Sequence, residues 1–276
     1  MRFLKVITVL LFILSCAAYG VSEFVLKRDK DYISPVISAD SDLLEISVSD
    51  DESKLYEGMH ATDDHDGDIT ENILISGESY FLNNNECTVR YVVFDEAHNS
   101  ASYKRTIHYT DYTPPHFSLD KPLVFTVGGS IRFADDITAT DCIDGDITSK
   151  IRILSSSVSN YMEGVYPAKL EVMNSHGQKA SVDINVLVTS KNYKPNVELK
   201  EYITYVKQGE DFDPYSLIKY AASDSGMQMD KKKVRINGVV DTNVPGTYTL
   251  SYTVGTNSAL KGTYLSVVVE EAEHEE

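Results

Sequence analysis

The stretch "CTVRYVVFDEAHNSASYKRTIHYTD" (87–111) decides the fold. In an extended chain Val89, Tyr91 and Val93 fall on one face and Arg90 and Val92 on the other, the two-residue period of a strand with one buried side. "DEAHNSAS" (95–102) then supplies the Asn and Ser of a tight turn, and a second apolar run follows. The unit is strand, polar turn, strand. It recurs as "YPAKLEVMNSHGQKASVDINVLVTS" (166–190) and as "YTLSYTVGTNSALKGTYLSVVVEE" (248–271).

Other segments fall into the same register. "ATDDHDGDIT" (61–70) aligns with "ATDCIDGDIT" (139–148), and "EGVYP" (163–167) with "PGTYT" (245–249). "ISPVIS" (33–38), "TPPHFSL" (113–119) and "YKPNVEL" (193–199) each put proline just before an extended segment, which suits an edge strand or a linker. The repeats define modules at 30–112, 113–192 and 193–270, with an acidic tail at 271–276. Each has about the length of a small sandwich of about seven strands. No long amphipathic helix is evident, and "DPYSLIKYAASDS" (213–225) holds at most one helical turn with Pro214 at its first position. The expectation is all-β: an N-terminal apolar helix, then three tandem Ig-like β-sandwiches. Tyr166 and Tyr248 are placed to hydrogen-bond across a sandwich corner, where the first module has Cys87.

The 18 tyrosines, nine phenylalanines and absent tryptophan accord with a strand-rich chain. A formal charge of −17 argues against a nucleic-acid partner, since phosphate binding needs clustered Lys and Arg. "DKKKVR" (230–235) is a short basic run that reads as a solvated turn. Cys87 and Cys142 sit at non-equivalent positions of two repeats, so no disulfide is expected and both are read as small buried hydrophobes.

Residues 1–29 read as an address. Arg2 and Lys5 precede an apolar run from Val6 to Val21, the layout of an export signal. Three fates fit it: cleavage after Gly20, lipidation of Cys16 in "ILSC", or an uncleaved anchor running on through Phe24–Leu26 to Lys27 and Arg28. The expectation is the uncleaved anchor in the cell membrane; a lipoprotein at Cys16 and a secreted chain are the alternatives. Each places residues 30–276 outside the cytoplasmic membrane.

The acidic loops admit three chemistries. Carboxylates at near-alternating positions around a glycine suit an oxygen-ligated Ca²⁺ loop. The candidate calcium ligands are Asp64, Asp66 and Asp68 in the first repeat and Asp141, Asp144 and Asp146 in the second, with Asp111 reaching the second loop from the linker. The same residues form turns, because Asp caps backbone amides and Gly accepts a positive φ. As an acid pair they would serve glycoside hydrolysis only in a cleft, which a small sandwich rarely forms. His60 and His65 lack a partner pair with zinc spacing, and the chain has no HExxH, GxSxG, phosphate loop or dinucleotide fingerprint.

The motifs "ATDDHDGDIT…RYVVFDEAHNSAS…DYTPP" resemble the extracellular bacterial Ig-like repeats also found in some pesticidal crystal proteins and in many surface proteins. The likeness covers residues 31–270, with His98 where the family usually has Gly, and with "ASDSGMQMDKKK" where the third acidic loop would stand. It implies β-sandwiches used for spacing, adhesion or ligand presentation, without enzymatic activity and with no cofactor beyond calcium. The expected partners are a cell-envelope polymer or a surface protein, plus the membrane through the N-terminal segment. The alternatives are a carbohydrate-binding accessory or envelope enzyme with a carboxylate site, and a calcium-stiffened rod.

Overall fold

The computed structural model describes residues 2–28, 31–82, 85–190, 195–223, 225–255 and 262–272, with helix side chains from 7 to 22. The third hairpin turn, at 256–261, and the end of the acidic tail lie outside them. The chain divides into two compact units, Met1–Thr110 and Asp111–Glu276.

The first unit opens with α1 (Arg2–Arg28), followed by β1 (Val36–Ala39), β2 (Leu43–Ile46), β3 (Met59–Asp63), β4 (Gly67–Asp68), β5 (Leu74–Glu78), β6 (Glu86–Phe94) and β7 (Ser100–Tyr109). Two sheets form, in the orders β1-β3-β4 and β2-β7-β6-β5. The first strand is split: β1 pairs antiparallel with β3, and β2 crosses to the other sheet to run parallel with β7. On β6 the side chains of Cys87, Val89, Tyr91 and Val93 are buried and those between them are not, as the alternation predicts. Along α1 the apolar side chains from Val9 to Leu14 are exposed, Phe12 by 70%. Among the described residues no helix is long and apolar enough to cross a membrane.

The second unit holds two further sets of strands. Its strands are β8 (His116–Ser118), β9 (Val124–Thr126), β10 (Thr138–Asp141), β11 (Gly145–Asp146), β12 (Arg152–Ser156), β13 (Gly164–Met173) and β14 (Lys179–Thr189). They continue as β15 (Val197–Leu199), β16 (Ile203–Lys207), β17 (Ile218–Ala221), β18 (Arg235–Asn237), β19 (Gly246–Thr253) and β20 (Thr263–Glu270). β9 and β16 run parallel to β14 and β20, as β2 does to β7. The two strand sets share one apolar core, in which Phe117, Leu119 and Ile184 join Tyr202, Leu265 and Val267. Polar groups close the joint. The Tyr202 amide donates to the Leu119 carbonyl at 2.8 Å and the Phe117 amide to the Tyr205 hydroxyl at 2.6 Å. His116 stacks on Tyr205 with ring centroids 3.8 Å apart and meets Glu270 at 2.7 Å.

Tyrosines lock the loops onto these sheets. Tyr166 and Tyr248 donate to the carbonyls of Met162 and Val244, each four residues upstream, as expected of corner tyrosines. A Cβ on Gly164 would stand 3.0 Å from the Tyr166 ring, which explains the glycine two residues before it. Tyr91 and Tyr252 occupy equivalent buried positions, and their hydroxyls hold short 3₁₀ turns: Tyr91 donates to Leu55 at 2.6 Å and Tyr252 to Pro214 at 3.0 Å. The turn at Pro214–Leu217 is the single helical turn expected there, capped by Asp213. Cys87 is buried as anticipated, but Cys142 is exposed. β10 alternates with Asp141 inward, so the next side chain points out, and the Cys142 thiol turns to the Thr113 carbonyl at 3.1 Å.

Burial pushes the Tyr91 hydroxyl up from 10.0 to about 12. The stability tied to that proton is intact below pH 10 and falls as pH rises to 12, because the unfolded chain ionises first. Tyr91→Phe leaves the Leu55 carbonyl without its donor and is expected to cost about 1–3 kcal/mol. Urea unfolding across this alkaline range should show a stability slope that is shallower in Tyr91→Phe; equal slopes would contradict the assignment.

Candidate functional site: the acidic loops and a buried carboxylate triad

The repeated acids each find a backbone donor. β3 and β10 end on buried Asp63 and Asp141. Asp63 Oδ1 accepts from the amides of His65 (2.9 Å) and Asp66 (3.0 Å), and Asp141 Oδ1 from those of Ile143 and Asp144, both at 2.9 Å. Gly67 (φ 76°) and Gly145 (φ 68°) then reverse the chain through a left-handed conformation that favours glycine. Asp68 and Asp146 accept from the amides of Thr70 and Thr148, while those threonine hydroxyls accept from Ala61 and Ala139. Asp66 and Asp144 reach across to the hairpin turn, taking the amides of Glu96 (2.7 Å) and Ser175 (2.8 Å). "ATDxxDGDIT" is thus a set of backbone acceptors that pins the loop to its own strand and to the central hairpin.

These bonds also set the charges. Backbone amides of Asp66 and His65 hold Asp63 below the usual carboxylate range, and Thr70 and Thr148 do the same for Asp68 and Asp146. Burial pushes Asp144 up, yet Lys150 at 2.7 Å and the Ser175 hydroxyl and amide more than offset it.

The sequence-derived ligand sets are dispersed over these donors. Asp64 and Asp111 are exposed, Asp66 and Asp68 bond to different segments, and Asp144 faces Lys150 and Ser175 while Asp146 faces Thr148. His60 lies 3.2 Å from Asp40, and His65 is exposed.

The structure gathers a different set. Asp31, Asp63 and Asp95 each bring one carboxylate oxygen to within 4.8 Å of the others. Asp63 is 8% exposed and Asp95 5%. Asp31 and Asp63 spend Oδ1 on local amides, and their buried Oδ2 atoms have no hydrogen-bond partner. Asp95 accepts from the Asn99 amide at 2.7 Å and from Asn99 Nδ2 at 2.8 Å. In the next repeat Asn174 stands where Asp95 stands. Its Nδ2 donates to Asp141 Oδ2 at 3.1 Å and to the Tyr112 hydroxyl at 3.0 Å, so the equivalent carboxylate is fully partnered. Aligning "DEAHN" with "NSHGQ" carries this difference, but only the folded chain shows that Asp31, Asp63 and Asp95 meet.

Asp141→Ala should remove the acceptor for two turn amides and the partner of Asn174, at about 1–3 kcal/mol. Asp63→Asn keeps an acceptor but removes the proton linkage. The stability that Asp63 contributes is complete above pH 3.8 and lost as pH falls through its lower folded value, so acid unfolding should be less steep in that variant. Denaturant titrations below pH 3.8 check this, and identical acid profiles would rule it out.

Residues 200–265 match the family model of the bacterial surface protein, Ig-like domain. Over 246 residues the chain is 28% identical to the pesticidal crystal protein Cry22Aa of Bacillus thuringiensis, covering 85% of this chain and 32% of that one. The chain therefore spans about a third of the length of the curated relative it matches. Among solved structures, CBM51-2 in complex with GlcNAc and INT domains from Clostridium perfringens ZmpB align at 16% identity and a TM-score of 0.24, over 86% of this chain and 41% of that one. Domains 6–7 of the surface layer protein SbsC align at 12% identity and a TM-score of 0.22, over 87% of this chain and 99% of that one. The Ig-like match falls on the repeat in which "ASDSGMQMDKKK" stands in place of the acidic loop. The bacterial Ig-like repeat read from the motifs is thus the family that the comparisons return, with residues 200–265 matching its surface-protein domain.

Proposed function

We propose that the chain is a non-enzymatic bacterial surface protein whose Ig-like modules bind, adhere or space at the cell envelope, with an envelope polymer or a surface protein as partner. One observation carries this reading. The equivalent segment of each repeat presents large apolar side chains to solvent: Tyr80 and Leu82 after β5, Tyr161 and Met162 at 157–163, and Val239 and Val244 at 238–245. Tyr161 is 85% exposed and Val239 83%. Single exposed apolar residues are ordinary, but recurrence in one loop of three repeats is what a contact surface needs. The corner tyrosines brace two of these loops through Met162 and Val244, which limits the entropy lost on binding.

The alternative, an envelope enzyme with a carboxylate site, would need two carboxylates across a substrate. The exposed apolar run of α1 is the segment that would attach the chain, as a retained anchor or through a lipid on Cys16, itself exposed.

Cosedimentation of the full chain with purified bacterial cell walls tests the binding reading. Combining Tyr80→Ser, Tyr161→Ser and Val239→Ser should lower the bound fraction several-fold with unfolding midpoints unchanged. Undiminished binding would remove these loops from the account. Membrane fractionation of Cys16→Ala against the parent chain distinguishes the attachments: release into the soluble fraction is expected of a lipid anchor, retention of a helical one.

A further inference from the structure

We infer that Asp31, Asp63 and Asp95 form a divalent-cation site, suited to Ca²⁺, that ties the lead-in of the first module to its acidic loop and its central hairpin turn. The inference is independent of the surface-binding reading. It starts from a buried polar atom in need of a partner. Asp63 is 8% exposed, its Oδ1 is committed to the amides of His65 and Asp66, and its buried Oδ2 has no hydrogen-bond partner. A buried carboxylate oxygen without a donor is costly, and buried charges are ordinarily paired or bound to metal. Asp31 Oδ2 is in the same condition, while its Oδ1 accepts from the Ile33 amide at 2.8 Å. Asp95, 5% exposed, completes the group, and the three offered oxygens lie within 4.8 Å of one another.

That spacing matches a hard cation. Oxygens bound to Ca²⁺ at about 2.3–2.6 Å lie at most about 4.6–5.2 Å apart across the ion. Three carboxylates supply about three to six of the six to eight oxygens that Ca²⁺ takes, leaving the rest to carbonyls and water. With no soft or nitrogen ligand in the group, an oxygen-seeking cation is favoured over zinc or copper. Of the histidines near the loop, His60 meets Asp40 and His65 is exposed to solvent.

The second unit provides an internal control. There Asn174 replaces Asp95, and its amide nitrogen donates to Asp141 Oδ2, the counterpart of the unpartnered Asp63 oxygen. One repeat satisfies the buried acid with an amide. The other places a third acid beside it, which raises the repulsion unless a cation enters. Asp31 lies three residues beyond the end of α1, so an ion here would clamp the chain leaving the helix onto two loops of the sandwich.

The test uses the full chain, freed of metal with chelator, and CaCl₂ as the probe. Calorimetric titration should show one Ca²⁺ bound in the first module at about 0.1–1 mM or tighter, the range of extracellular modules, and Ca²⁺ should raise the unfolding midpoint in a chelator-reversible way. Asp95→Asn copies what the second repeat already tolerates, so it should fold, yet bind Ca²⁺ at least about tenfold more weakly. Asp31→Asn, in the partly exposed lead-in, should weaken binding likewise, and Asp144→Asn in the second unit should leave it unchanged. No heat and no midpoint shift in the parent chain at millimolar Ca²⁺ would overturn the site, as would parental affinity in both Asp95→Asn and Asp31→Asn. A response to Mg²⁺ equal to that for Ca²⁺ would overturn the choice of ion.

Discussion

Everything in this chain hangs on a hairpin whose alternate side chains must leave water. In β6 these are Cys87, Val89, Tyr91 and Val93, in β13 Ala168, Leu170 and Val172, and in β19 Leu250 and Tyr252. Because the side-chain period of a strand is two, a slip of one residue would turn the whole set to solvent, and the register is fixed accordingly. The partner strands β7, β14 and β20 then accept the parallel second half of the split first strand, which forces the first half onto the opposite sheet. The tyrosine hydroxyls follow from the same geometry: placed inward at Tyr91 and Tyr252, each has one carbonyl of a short helical turn in reach.

The acidic loop is a second layer built on that frame. Three acids, one glycine and one threonine satisfy the amides of a tight reversal and bolt it to the hairpin turn. The third repeat replaces this device with "ASDSGMQMDK", in which Ala222 bridges Gln228 and Asp230 caps the next short helix. Loss of the motif without loss of the strand pattern shows that the loop refines the sandwich and does not create it. The same economy explains why one loop can bear an extra carboxylate at Asp95 and its sister an amide at Asn174. The turn needs only an acceptor there, used by the amides of Asn99 and Gln178 alike.

Packing joins the second and third repeats more closely than two neighbouring beads. Phe117 and Leu119 enter a core with Tyr202, Leu265 and Val267, and the Tyr205 hydroxyl completes the Phe117 amide. Nothing periodic announces such a joint. It depends on which edge of β16 and β20 meets β8 and β14, and so on the placement of whole sheets.

The sequence by itself determined the strands, the hairpins, the corner tyrosines and the inward faces. All of these are written locally, in a two-residue period and in turn residues a few positions apart. It also marked the acidic loops, and the reading of Cys142 as buried erred only where the β10 alternation ended in a turn. Tertiary structure decided what the acids meet. Asp64, Asp66, Asp68, Asp111, Asp144 and Asp146 are neighbours in sequence or alignment yet serve different donors or face solvent, whereas Asp31, Asp63 and Asp95 come from three separate segments and converge. Convergence of that kind depends on how sheets close over one another, because the distance between side chains on different strands is set by packing and not by spacing along the chain.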